Sequence, residues 1–142
     1  MCIRDSLRGD SMPAAAARAL LGRDALIGRS VHSADEAGAA SRAGGIDYLI
    51  FGTLYRTPSK DEGHALASLD QLKAATLAAA GVPVLAIGGI TVQRAAELAR
   101  AGASGIAGIG LFVAPAGVPV ERHVQAVATE LRRSFDTCGV VT

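Results

Sequence analysis

This sequence predicts a parallel α/β fold, and three observations predict it. Short apolar runs at 25–30, 47–52, 83–89 and 105–110 show no clean polar–apolar alternation. That is the signature of strands covered on both faces of a parallel sheet. Helical stretches separate the runs, giving one leading helix and then β-α repeated. The helices are short and Ala-rich, with Gly at nearly every helix end, which suits the outer ring of a (β/α)8 barrel. Such a barrel takes roughly 250 residues, and this chain has 142. Four strands make either an open α/β sheet or about the last four strands of a barrel truncated at its N-terminus. A leading helix without a strand of its own favours the barrel.

The elements follow in order. "MPAAAARALLG" (12–22) carries Pro13 near its first turn and Gly22 at its end. "SADEAGAASRAGG" (33–45) opens on Ser33 with Glu36 three residues later, a capping-box pattern. "SLDQLKAATLAAAG" (68–81) is expected to put Leu69, Leu72 and Leu77 on one broad face. "TVQRAAELARAG" (91–102) starts at a Thr N-cap and ends at Gly102. The last helix, 118–135, strings Val120, Val124, Val127 and Leu131 along one stripe.

Composition limits the function classes. A net charge of +1 suggests no nucleic-acid partner. Cys2 and Cys138 lie at opposite ends without metal-ligand spacing, which fits a reducing cytoplasm and no disulfide scaffold. No apolar run approaches the ~20 residues of a membrane helix, and the start has no secretory h-region. "MCIRDS" (1–6) resembles a translated sequencing-adapter remnant. Residues 1–6 are therefore expected to be a non-native start, 7–136 the domain and 137–142 a loose tail.

In a barrel the chemistry sits where strands end. Gly88 and Gly89 follow the third run directly, and a helix follows them. Glycines admit close approach of an anion, and helix N-termini offer free N–H groups. "GIGLF" (108–112) repeats the arrangement one unit later. Together these predict a phosphate site, set against glycines that merely make tight turns. The long loop "TLYRTPSKDEGHA" (53–65) gathers Thr57, Ser59 and Lys60, two hydroxyls and an ammonium suited to phosphate oxygens. "GRSVHS" (28–33) points Ser30 and His32 to one side of a strand end, where His32 is a candidate proton carrier. His64 and His123 have weaker claims, His123 as a surface residue of the last helix.

"LIGRSVHSADEA", "GIDYLIFGTLYRTPSK", "PVLAIGGIT" and "AGASGIAGIGLF" together resemble the thiamine phosphate synthase/TenI family, from about Leu7 to about Phe112. The resemblance implies a (β/α)8 barrel and a cytoplasmic enzyme of thiamine biosynthesis, with a homo-oligomer among the expected states. Its synthase branch joins an aminopyrimidine pyrophosphate to a thiazole phosphate, releasing pyrophosphate with Mg²⁺. The resemblance places Ser30 and Lys60 on the pyrophosphate and Thr57 and Ser59 near the thiazole phosphate. It places Gly88, Gly89 and the backbone at Gly110 and Leu111 in the phosphate cup. Gly110 replaces a Ser common in the family, removing a hydroxyl donor. Where the synthases have "Q-E-D" with its Asp on the metal, this chain reads "RGDSMP", leaving Ser11 or Asp10 for that role.

"SVHS" is similar to the TenI branch, thiazole tautomerases that shuttle protons with a His at the position of His32 and need no metal. Two other readings stand beside these. A thiazole synthase shares the "AIGGI" strand end but needs a Schiff-base lysine on a strand, and Lys60 and Lys73 lie on none. A non-catalytic relative would keep the cup and lose the chemistry. A piece of a barrel wall alone is expected to aggregate or dimerise and to have little activity.

Overall fold

The computed structural model describes residues 4–7, 11–57, 63 and 65–138. Five strands, β1 Arg4–Leu7, β2 Leu26–Val31, β3 Tyr48–Phe51, β4 Val84–Ile87 and β5 Gly105–Ala107, form one parallel sheet in the order β1-β2-β3-β4-β5. Helices α1 Ala14–Leu21, α2 Ala34–Ala43, α3 Leu69–Ala78, α4 Ala95–Arg100 and α5 Val120–Cys138 alternate with them. Sequential order and parallel pairing are what consecutive units of a barrel wall require.

The sheet has one strand more than expected. The leading helix does have its own strand, because Arg4–Leu7 pairs in parallel with Leu26–Arg29. Residues 4–6, set aside in the sequence as a non-native start, are part of that edge strand. The last helix also runs to Cys138, past the expected end at 135.

The two faces of the sheet differ. Ile27 and Val31 of β2, Leu49 and Phe51 of β3, and Val84 and Ala86 of β4 are fully buried. Except for Ile27 they share one cluster with Ala37 of α2, Leu72 and Ala75 of α3, and Leu98 of α4. Ile27 joins Leu7, Ala14 and Ala17 in a smaller cluster under α1. The alternate residues Leu26, Ser30, Tyr48, Ile50, Leu85 and Ile87 face the other way and are half-buried.

Helix boundaries follow capping chemistry. Ser33 accepts from the Glu36 N–H at 3.1 Å, as its pattern predicted. The Glu36 carboxylate reaches the N–H of His32 at 2.8 Å rather than that of Ser33, so the box is displaced by one residue. A complete capping box instead joins Ser68 and Gln71 at the start of α3. Thr91 makes no side-chain cap, and a short 3-10 turn, Val92–Arg94, precedes α4. Two expected stripes are interrupted. Leu77 is exposed while Ala75 and Ala79 take its place in the core, and on α5 only Val127 is buried, with Val120 and Val124 exposed.

Candidate active site

Because every strand is parallel, β2, β3, β4 and β5 deliver their C-terminal ends to one side. His32 follows the last residue of β2 and is exposed. Its Nδ1 lies 2.6 Å from the carbonyl oxygen of Gly52, just past β3. A carbonyl can only accept, so Nδ1 carries the proton and Nε2 of the neutral ring is left as a bare acceptor. The sequence placed Ser30 and His32 on one side; in register Ser30 is opposite Ile50, and His32 meets Gly52 two residues further.

Gly52 in turn is pressed against β4. A Cβ there would lie 2.2 Å from the Ile87 carbonyl oxygen. Beyond it, the Leu54 N–H donates to Ile87 at 3.0 Å and the Tyr55 N–H donates to Gly88 at 3.1 Å. The connection from β3 to α3 therefore lies directly on the glycine pair. Gly88 and Gly89 have φ of 103° and 57°, and a Cβ on Gly89 would stand 2.2 Å from the Arg56 carbonyl oxygen. This gives the pair a purely structural necessity, and the turn-making reading is sound as far as it goes. The same turn carries the Gly88, Gly89 and Ile90 N–H groups directly past the C-terminal end of β4. The expected helix dipole is weaker than the sequence implied, because α4 has only six residues and starts behind a 3-10 turn.

Tyr55, Arg94 and Glu97 were missed by the sequence reading. The Tyr55 hydroxyl donates to Glu97 Oε1 at 2.6 Å, and the Arg94 guanidinium lies 3.7 Å from the centroid of its ring. Burial, reinforced by the Glu97 carboxylate, pushes the Tyr55 phenol up to about 12. One unit on, Gly110–Phe112 forms a 3-10 turn after β5. His123 of α5 is half-buried rather than a free surface residue, with Nε2 3.1 Å from the Leu111 carbonyl oxygen.

Thr57 is half-buried at the edge of the described loop. Ser59, Lys60, His64 and Asp10 lie outside the described residues, and Ser11 is half-buried ahead of α1. Among the described residues no three His, Cys, Asp or Glu side chains cluster as a metal site. Mg²⁺ favours carboxylate and phosphate oxygens in an octahedron. The described donors here are the hydroxyls of Ser11 and Ser30 and an imidazole, while the nearby Glu36 carboxylate is engaged by the His32 N–H. That donor set does not by itself fit the ion. A cavity of about 490 Å³ lies between α1 and α2, lined by Ala14, Arg29, Glu36, Ala40 and Ile46 among others. Ser30 and His32 also line it, so the two candidates at the end of β2 border this cavity.

A family model described as thiamine monophosphate synthase matches residues 6–112, the stretch that holds all of these strand ends. The chain belongs to that family. It is 43% identical over 123 residues to the thiamine-phosphate synthase of Chloroflexus aurantiacus, covering 87% of this chain and 53% of that protein. The thiamine-phosphate synthase of Haloquadratum walsbyi is 37% identical over 137 residues, covering 94% of this chain and 57% of that one. Among solved structures, the thiamine phosphate pyrophosphorylase from Pyrococcus furiosus superposes with a TM-score of 0.73 at 28% identity. That likeness covers 94% of this chain and 59% of the neighbour. The chain thus spans little more than half the length of these relatives. No helix among the described residues is long and apolar enough to cross a membrane.

Proposed function

We propose that this chain supplies the phosphate-binding strand ends of a thiamine phosphate synthase. The whole enzyme would condense an aminopyrimidine pyrophosphate with a thiazole phosphate to thiamine phosphate. The observation that supports this best is the convergence at one end of the sheet. There His32, the β3–α3 connection and the Gly88–Gly89 turn are joined by an unbroken run of contacts.

In the reaction the bond from the pyrimidine methylene carbon to the pyrophosphate oxygen breaks, and a bond to the thiazole nitrogen forms. The departing pyrophosphate needs donors and positive charge. Ser30 and Lys60 are assigned to it, and Lys60 is the only cation in the "TPSK" segment. The Gly88 and Gly89 N–H groups, Thr57 and Ser59, and the backbone at Gly110 and Leu111 are assigned to the thiazole phosphate. They hold the nucleophile at a fixed distance from the carbon it attacks. His32, held through Nδ1 at Gly52, is assigned the proton-carrying role, with Nε2 as the group that would hold or accept the proton. Mg²⁺, which would neutralise pyrophosphate charge when bound, needs a carboxylate, and Asp10, next to Ser11 in sequence, would supply it. The substrates are small molecules, and cytoplasmic placement and self-association are part of the same reading.

The test uses a protein in which this chain is continued to the length of its relatives. It is incubated with thiazole phosphate, aminopyrimidine pyrophosphate and Mg²⁺, and thiamine phosphate is measured. Product that is lost in Lys60→Ala supports the assignment. Absence of product with His32-dependent proton exchange on the thiazole would move the chain to tautomerase chemistry. Absence of both would leave a non-catalytic phosphate binder.

A further inference from the structure

Tyr55 belongs to the β3–α3 connection, yet its attachments all reach the next β-α unit. Its N–H donates to Gly88, its hydroxyl to Glu97, and its ring lies under Arg94. A tyrosine serving only to fill space would not need a carboxylate on its hydroxyl at 2.6 Å. The position so fixed matters because of what the backbone does next. The carbonyl oxygens of Tyr55 and Arg56 lie 2.8 Å and 2.2 Å from where a Cβ on Gly89 would stand. Both are negative ends of peptide dipoles, and they border the turn whose N–H groups would face an anion. A small swing of this connection would move those oxygens toward the anion and weaken its binding by repulsion.

We propose that Tyr55 is a positioning residue for the phosphate cup: the hydroxyl bond to Glu97 and the stack under Arg94 fix the Tyr55–Arg56 carbonyls in their seat against the Gly88–Gly89 turn. This rests on the reading of that turn as a phosphate site. The substitution Tyr55→Phe removes one oxygen and keeps the ring under Arg94. Glu97→Gln keeps an acceptor for the hydroxyl, and Glu97→Ala removes it.

The experiment measures binding of inorganic phosphate and of pyrophosphate to the chain by calorimetry, below the unfolding transition of every variant. Phosphate affinity is expected to fall about five- to tenfold in Tyr55→Phe and in Glu97→Ala. Glu97→Gln should stay within about twofold of the unsubstituted chain, and Tyr55→Phe with Glu97→Ala should lose little more than either alone. Lowered melting temperatures with unchanged affinity in both Tyr55→Phe and Glu97→Ala would overturn the positioning role and leave the phosphate site standing. No phosphate binding by the unsubstituted chain would overturn the site reading itself, and the proposal with it.

Discussion

The two ends of the sheet are held by different chemistry. At the N-terminal end a single side chain closes the structure. Arg18 of α1 donates to the carbonyls of Gly22 at 3.0 Å and Ala25 at 2.6 Å, and pairs with Asp47 Oδ2 at 2.5 Å. The same carboxylate oxygen accepts the Ile27 N–H at 2.7 Å, so one ion pair ties α1, β2 and the start of β3 together. At the C-terminal end no ion pair stands among the described residues; the Tyr55–Glu97 bond and the Arg94 stack brace the β3–α3 connection from outside. Backbone runs on backbone there, through glycines too tight for any side chain. Barrels in general divide labour this way, with stability at one end and ligand chemistry at the other, and the proposed site follows that division. It can be broken from either side.

The largest effect is expected from Gly89→Ala. A methyl at φ 57° would meet the Arg56 carbonyl oxygen at 2.2 Å, and backbone rather than a flexible side chain would have to move. The left-handed conformation and the forced shift together should cost about 3 kcal/mol. Phosphate binding should be lost even in the fraction that stays folded. Thermal unfolding and phosphate calorimetry on the same sample check both. A variant with wild-type stability would show that the β3–α3 connection is not seated on the glycines.

Arg18→Ala is the opposite case. It removes charge-assisted bonds on partly exposed groups and should cost about 2 kcal/mol. Phosphate affinity below the melting point should be untouched. A drop in affinity as large as that of Gly89→Ala would mean that the two ends are coupled.

Acid and base should separate the ends further. The Ile27 N–H bond, with Arg18 beside it, holds the Asp47 carboxyl below its ordinary range. A depressed carboxylate stabilises the fold above its unfolded pKa, and that contribution is lost as pH falls through its folded value. Asp47→Asn and the unsubstituted chain should therefore converge in melting temperature in strong acid and diverge toward neutrality. Tyr55 behaves inversely, since its phenol is raised to about 12. Its contribution is full below the ordinary phenol pKa of about 10 and is lost as pH rises toward its folded value. Tyr55→Phe should close the gap to the unsubstituted chain only in alkali.

What the sequence disclosed and what it hid have physical reasons. The strand ends were legible because an apolar run meeting two glycines is a local signal, and so is Ser33 ahead of Glu36. β1 was not legible, because Arg4, Asp5 and Ser6 give an edge strand no apolar run. Leu77 was misplaced because periodicity cannot say how wide a face the sheet covers, and small Ala75 and Ala79 were enough. Tyr55 with Glu97, and Arg18 with Asp47, join positions 42 and 29 residues apart, and no window of sequence connects them. The candidate site was therefore read through its glycines and hydroxyls, while the side chains that hold it in place appeared only with the fold.

The smallest expected effect lies at two helix starts that look alike in sequence. Ser68 and Thr91 each precede a helix on the same side of the sheet. Ser68 Oγ accepts the Gln71 N–H at 3.1 Å and Gln71 returns a bond to the Ser68 N–H at 2.8 Å. Ser68→Ala should therefore cost about 1 kcal/mol. Thr91 makes no side-chain cap and opens a 3-10 turn, so Thr91→Ala should change stability by a few tenths of a kcal/mol at most. Urea unfolding of the two variants resolves that difference. If Thr91→Ala proves as costly as Ser68→Ala, its hydroxyl caps the turn in solution, and the helix end behind Gly88–Gly89 is more ordered than its geometry indicates. If the costs differ as expected, the Gly88–Gly89 turn is held by the loop packed on it rather than by the helix behind it, which is the role assigned to Tyr55.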